Sequence, residues 1–143
     1  MRISNIIKSK GQAVVTIGVQ ANLKAAANVM HDHRIAALVV LKDNQAVGVI
    51  SERDIVTALA QYGQSAGTVQ VINILQQNLV AVESADTIKE AMAVMTYQHL
   101  RHLPVIDAGE LKGIVSLGDI VKYRLEELEM ESNVLRDLAV AVR

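Results

Sequence analysis

The chain has 143 residues, is 51% hydrophobic and carries 14 basic against 15 acidic side chains, a net charge of −1. That length suits one compact domain with a sizeable core. The near-neutral balance, the lack of a Lys/Arg cluster, three tyrosines and no Phe or Trp argue against nucleic-acid binding, which needs a basic footprint and aromatic platforms.

Cysteine is absent, which excludes disulfides, thiolate catalysis and cysteine-held zinc. The first twelve residues (MRISNIIKSKGQ) are too polar for a signal peptide, and no run approaches the roughly 18 apolar residues of a membrane span. The expectation is a soluble, cytoplasmic protein with no membrane partner.

In chain order, a β-branched run at residues 14–17 predicts a strand and the Ala-rich stretch 21–32 a helix. Apolar runs at 36–41 and 46–50, separated by Lys42-Asp43-Asn44-Gln45, predict a hairpin, and a second helix starts at Ser51. The same succession then returns: a strand at 79–82, a helix at 86–98, a hairpin from 103–106 and 111–115 around Asp107-Ala108-Gly109-Glu110, and a helix from Ser116.

The return is a true repeat at an offset of 65 residues. Without gaps, Val15, Lys24, Ala26, Val29, Met30, Leu38, Val40, Gly48, Ser51, Asp54, Ile55 and Val56 recur as Val80, Lys89, Ala91, Val94, Met95, Leu103, Val105, Gly113, Ser116, Asp119, Ile120 and Val121. The expected fold is a mixed α/β (α+β) class: two pseudo-symmetric β-α-β-β-α repeats packed through small sheets, since neither copy alone buries both faces of its sheet. The expected boundaries are 1–63 for the first repeat, 64–70 for a linker, 71–128 for the second repeat and 129–143 for an extended C-terminal helix.

The sharpest local pattern is Gly48-Val-Ile-Ser-Glu-Arg-Asp-Ile55, doubled as Gly113-Ile-Val-Ser-Leu-Gly-Asp-Ile120. Each sits where a strand turns into a helix, so unpaired backbone N–H groups and the positive end of the helix dipole are available to a phosphate. Ser51 and Ser116 add a hydroxyl there, and the carboxylates of Asp54 and Asp119, in the first helical turn, suit the vicinal hydroxyls of a ribose. The same residues also spell a capping box that needs no ligand.

From about Ile6 to Leu128 the chain resembles two consecutive CBS (cystathionine β-synthase type) domains, the pair called a Bateman module. The resemblance implies a stand-alone regulator rather than an enzyme, binding an adenosine compound (AMP, ADP, ATP, NAD or S-adenosylmethionine) through Ser51, Asp54, Ser116 and Asp119. It implies adenine-edge positions at Thr16 and Ile17 and at Ala81 and Val82. It also implies phosphate-facing groups at Arg101 and His102, just before the family-like Pro104, with only Arg34 in the equivalent stretch of the first copy. Arg53 stands in the first motif where Gly118 stands in the second, so two unequal sites are expected.

A metal reading of His31, His33, His99 and His102 is weak, because His-x-His on a helix splays its side chains by roughly 200°. Ser–His–acid hydrolysis finds no constellation of its own, the repeated serines being accounted for by capping or phosphate contact.

Along the C-terminal helix Val121, Leu125, Leu128, Ser132, Leu135, Ala139 and Val142 recur in alternating steps of four and three, a heptad seam. Either it packs on its own domain as one amphipathic helix, or, as preferred here, it contacts a second subunit of a homodimer or another protein partner. Two functional classes therefore stand: an adenosine-nucleotide sensor, or a ligand-free dimerisation scaffold on the same fold.

Overall fold

Two antiparallel hairpins, one in each half of the chain, carry the architecture in a computed structural model that describes residues 1–11, 13–75 and 78–141. The first pairs β2 (Ala37–Lys42) with β3 (Gln45–Ser51) and is extended by β1 (Thr16–Gly18), which runs parallel to β2. The second pairs β4 (His102–Asp107) with β5 (Glu110–Ser116). Both hairpins turn through two residues of positive φ, Asp43 and Asn44 in one and Ala108 and Gly109 in the other, the backbone that a tight two-residue turn requires.

Five α-helices accompany them among the described residues: α1 (Ile3–Lys10), α2 (Leu23–His33), α3 (Glu52–Tyr62), α4 (Ile88–Gln98) and α5 (Leu117–Ala141). Local chemistry sets the starts of α2 and α4. The Asn22 side chain accepts from the Ala25 N–H at 2.8 Å, and Thr87 and Glu90 close a reciprocal box at 3.0 and 3.2 Å.

Each repeat has its own core, and the recurring residues of the sequence largely define it. Ala26, Met30, Leu38 and Val40 are buried in the first, and Ala91, Met95, Leu103 and Val105 fill the matching places in the second. The repeat was legible because helix and sheet faces that bury the same way keep the same side chains.

One expectation is corrected. The strand expected at residues 79–82 reduces to a single parallel bridge between Val82 and Val105. Its bonds are Val82 N–H to Pro104 O at 3.0 Å and Ile106 N–H to Val82 O at 2.9 Å. The ladder stops because Pro104 has no N–H with which to extend it toward Val80, while the Ser84 N–H turns to the Asp107 carboxylate at 2.9 Å. The first repeat has Val39 in place of Pro104 and keeps a three-residue strand.

The linker 64–70 packs against the first repeat. Residues Gly63–Thr68 wind into a 3-10 turn, and the Leu23 N–H donates to Val69 O at 2.9 Å and the Val71 N–H to Ala21 O at 2.8 Å, fastening it to the first repeat.

Sequence reading also passed over α1. Although it stands at the head of the first repeat, its Ile3 and Ile6 are wholly buried in the second core, with Val82, Ile88 and Ile120. The inter-repeat connector does the converse, placing Val71 in the first core with Leu75 packed against it. The two halves thus exchange their leading segments. At the motif glycines the exchange becomes a steric demand: a Cβ on Gly113 would lie 2.4 Å from Ile7 Cδ1, and one on Gly48 would lie 2.7 Å from Leu75 Cδ1.

The last helix runs 25 residues, with Ile120 its one fully buried side chain among those described. Leu125, Leu128, Leu135 and Leu138 are 44–68% exposed, although Glu127 among them still meets the Met1 ammonium at 3.2 Å. Val142, the last position of the heptad, lies outside the described residues. No helix among the described residues is long and apolar enough to cross a membrane.

Candidate functional site

Both Gly-x-x-Ser-x-x-Asp segments place their Ser at the junction of strand and helix, as the sequence predicts. In the first copy the Ser51 N–H and hydroxyl donate to Asp54 Oδ2 at 2.8 and 3.1 Å. In the second the Ser116 N–H donates to Asp119 Oδ2 at 2.9 Å and the Asp119 N–H to Ser116 Oγ at 3.1 Å. The capping geometry is therefore realised in both copies, and both acids are half-buried at helix starts. The next N–H of each helix is also satisfied: Glu52 donates to Ala36 O at 3.0 Å and Leu117 to Arg101 O at 2.7 Å.

The copies differ in what reaches the acid. Lys10, the last residue of α1, places its ammonium 2.9 Å from Asp119 Oδ2 and 3.0 Å from Ile114 O. Burial alone would raise the Asp119 pKa, but the Lys10 hydrogen bond and charge, with the Ser116 backbone and hydroxyl, outweigh it and hold the carboxyl below its ordinary 3.8. Sequence reading missed Lys10 because it precedes Val15, the first of the recurring positions, and meets Asp119 only through the exchanged helix.

A cavity of about 290 Å³ opens beside this pair, between the repeats. The second repeat contributes His102, Gly113, Ile114 and Ser116; the first contributes residues 13–15 and 35–37; α1 contributes Ile7 and Lys10. It is apolar at the first-repeat wall and cationic toward α1, at the small end of the usual range for small-molecule sites. His102, opposite Ser116 in the β4–β5 register, is half-buried. Burial lowers its pKa below 6.5, with Lys10 and Arg101 acting in the same direction and Glu52 and Asp119 against it.

The remaining predicted site residues fall elsewhere. Thr16 and Ile17 lie in β1, paired with Val39 and Val40, and the cavity wall is formed by the three residues before them. Val82 is buried in the second core with its backbone engaged by β4, and Ala81 beside it is exposed. Pro104 is buried in β4, where its carbonyl receives Val82. Arg34 caps α2 in a left-handed conformation and lines a separate, open groove on the α2–α3 face with Glu52, Ile55 and Val56. Arg53 and Arg101 are exposed, and neither lines the cavity between the repeats. His33 hydrogen-bonds Val29 O at 3.0 Å, and no group of three or more His, Asp or Glu converges among the described residues.

Two pseudo-symmetric α/β repeats, a helix-start acid in each and a cleft between them define a paired-repeat binding module. The chain belongs to the CBS domain family, whose sequence pattern matches residues 7–61 and again 71–126. It is 34% identical to the CBS-domain protein ATU1752 of Agrobacterium tumefaciens, with a TM-score of 0.82 over 87% of this chain and 99% of that one. It is 32% identical to the mitochondrial CBS domain-containing protein CBSX3 of Arabidopsis thaliana, over 87% of this chain and 65% of that protein. It is 26% identical to the CBS domain-containing protein YhcV of Bacillus subtilis, over 82% of this chain and 84% of that one. The chain thus spans just under two thirds of the Arabidopsis relative and most of the other two.

Proposed function

We propose that this CBS pair is a regulatory sensor rather than an enzyme, a cytoplasmic protein that takes an adenosine nucleotide in the cleft between its repeats and passes the bound state to a protein partner or a second copy. The observation that carries the reading is the cavity at Ser116, which sets an apolar wall from the first repeat against Lys10 and His102. A base needs the former and a phosphate the latter. Support for assembly comes from α5, whose Leu125, Leu128, Leu135 and Leu138 are largely exposed. A helix with that much unburied apolar surface is better served by a homodimeric neighbour.

The second reading, a ligand-free dimerisation scaffold, is favoured by the capping bonds, which already engage both acids. Isothermal calorimetry with AMP, ADP, ATP, NAD and S-adenosylmethionine separates the two. Under the sensor reading at least one ligand binds, and Asp54→Ala and Asp119→Ala each weaken binding by about 1.5–3 kcal/mol, the worth of a charge-assisted contact. Wild-type affinity in the double variant, or no heat with any ligand, would leave the scaffold.

A further inference from the structure

We propose that Lys10 is the phosphate-selecting residue of the second site, making that site specific for 5′-phosphorylated adenosine over the bare nucleoside. The inference rests on the nucleotide reading above and adds a determinant from α1, ahead of the positions that recur between the repeats.

Position is the first support. Ile3 and Ile6 are buried in the second core and Ile7 covers Gly113, so the end of α1 is held against the strand that leads into Ser116. Lys10 lines the cavity directly. Its side chain is about one-third exposed, open to an incoming anion yet partly withdrawn from water.

Valence is the second. An ammonium has three donors, and Lys10 spends two, on Asp119 Oδ2 and Ile114 O. A third remains. Asp119 is matched to it: Oδ2 receives Lys10 and the Ser116 N–H, while Oδ1 receives no hydrogen bond among the described residues. A free donor and a free acceptor therefore lie side by side at the start of α5. A ribose hydroxyl fits the carboxylate and the 5′-phosphate fits the ammonium.

Contrast with the other repeat is the third. Asp54 forms no ion pair among the described residues, although Leu75 covers Gly48 there as Ile7 covers Gly113. A cation set on the acid itself belongs to the second copy, and the repeat pattern gives no hint of it. A purely mechanical role, clamping α1 to α5, predicts something different: losing the charge would loosen the fold and weaken every ligand alike.

The test is calorimetry at low salt with AMP and adenosine on the full chain, in an Asp54→Ala background so that heat reports the second site. Lys10→Met keeps the aliphatic stem and removes the charge; Lys10→Arg keeps the charge; urea unfolding follows the fold of each. Lys10-containing protein should bind AMP about tenfold or more tighter than adenosine. Lys10→Met should bring the two within about threefold through loss of AMP affinity, and Lys10→Arg should retain the preference. An unchanged AMP-to-adenosine ratio in Lys10→Met, or equal weakening of both ligands, overturns the role while leaving the nucleotide reading in place. If neither ligand binds, this inference falls; if ADP, ATP, NAD and S-adenosylmethionine give no heat either, the nucleotide reading falls with it.

Discussion

Truncating Ile6 to alanine tests whether α1 is part of the second repeat or an appendage to it. Ile6 is 0% exposed within the second core. The change removes three buried carbon groups, worth about 0.8 kcal/mol each, or about 2.4 kcal/mol together. Residual cavity adds to this, and the better helix propensity of alanine returns a few tenths of a kcal/mol. The net expectation is a loss of about 2–4 kcal/mol, which a typical stability of roughly 5–15 kcal/mol survives. Equilibrium urea unfolding followed by circular dichroism should show a midpoint lowered by about 1–2 M at an unchanged slope. Lys8→Ala, exposed on the same helix, should change stability by less than about 0.5 kcal/mol. If Ile6→Ala costs no more than Lys8→Ala, the packing of α1 into the second core is refuted.

Truncation after Glu129 removes Leu135 and Leu138 from α5 and should loosen the dimer while sparing nucleotide affinity; light scattering that finds the full chain monomeric at tens of micromolar, or the shortened chain equally dimeric, contradicts the role given to this helix. His102 supplies a pH dependence: burial lowers its folded pKa below 6.5, so the unfolded chain binds the proton more readily. Stability from this group is fully present above about pH 6.5 and declines as pH falls toward the folded value. His102→Asn should flatten that slope in urea titrations between about pH 5 and 7, and an identical slope in the variant defeats the assignment.

The repeat, both hairpins and the start of each motif helix were legible because they rest on local signals. Period-2 runs, turn residues with positive φ and a Ser-x-x-Asp start each act within a few residues. What escaped was non-local. The polar-looking start of the chain hides an amphipathic helix whose Ile3 and Ile6 make sense only against the second repeat. The shortening of the strand at Val82 required knowing that Pro104 is its neighbour. Of the site, Ser116 and His102 were named and do share a cavity, but its wall begins at residue 13 rather than at Thr16, and its cation at Lys10 was invisible. Glycine at 48 and 113 belongs to the recognisable motif for a steric reason that sequence does not state: an aliphatic side chain from the exchanged segment occupies the space of a Cβ.

The exchange of leading segments also orders events on the ribosome. The first core closes once the stretch around Val71 and Leu75 has been made, so that half can assemble while the rest is still being translated. Ile3 and Ile6 emerge earliest, yet their neighbours extend from Val82 to Ile120. At about 5–20 residues per second, the nascent helix waits on the order of 10 s with two isoleucines uncovered. Completion of the half that carries Asp119 therefore depends on a helix made before any of its own strands.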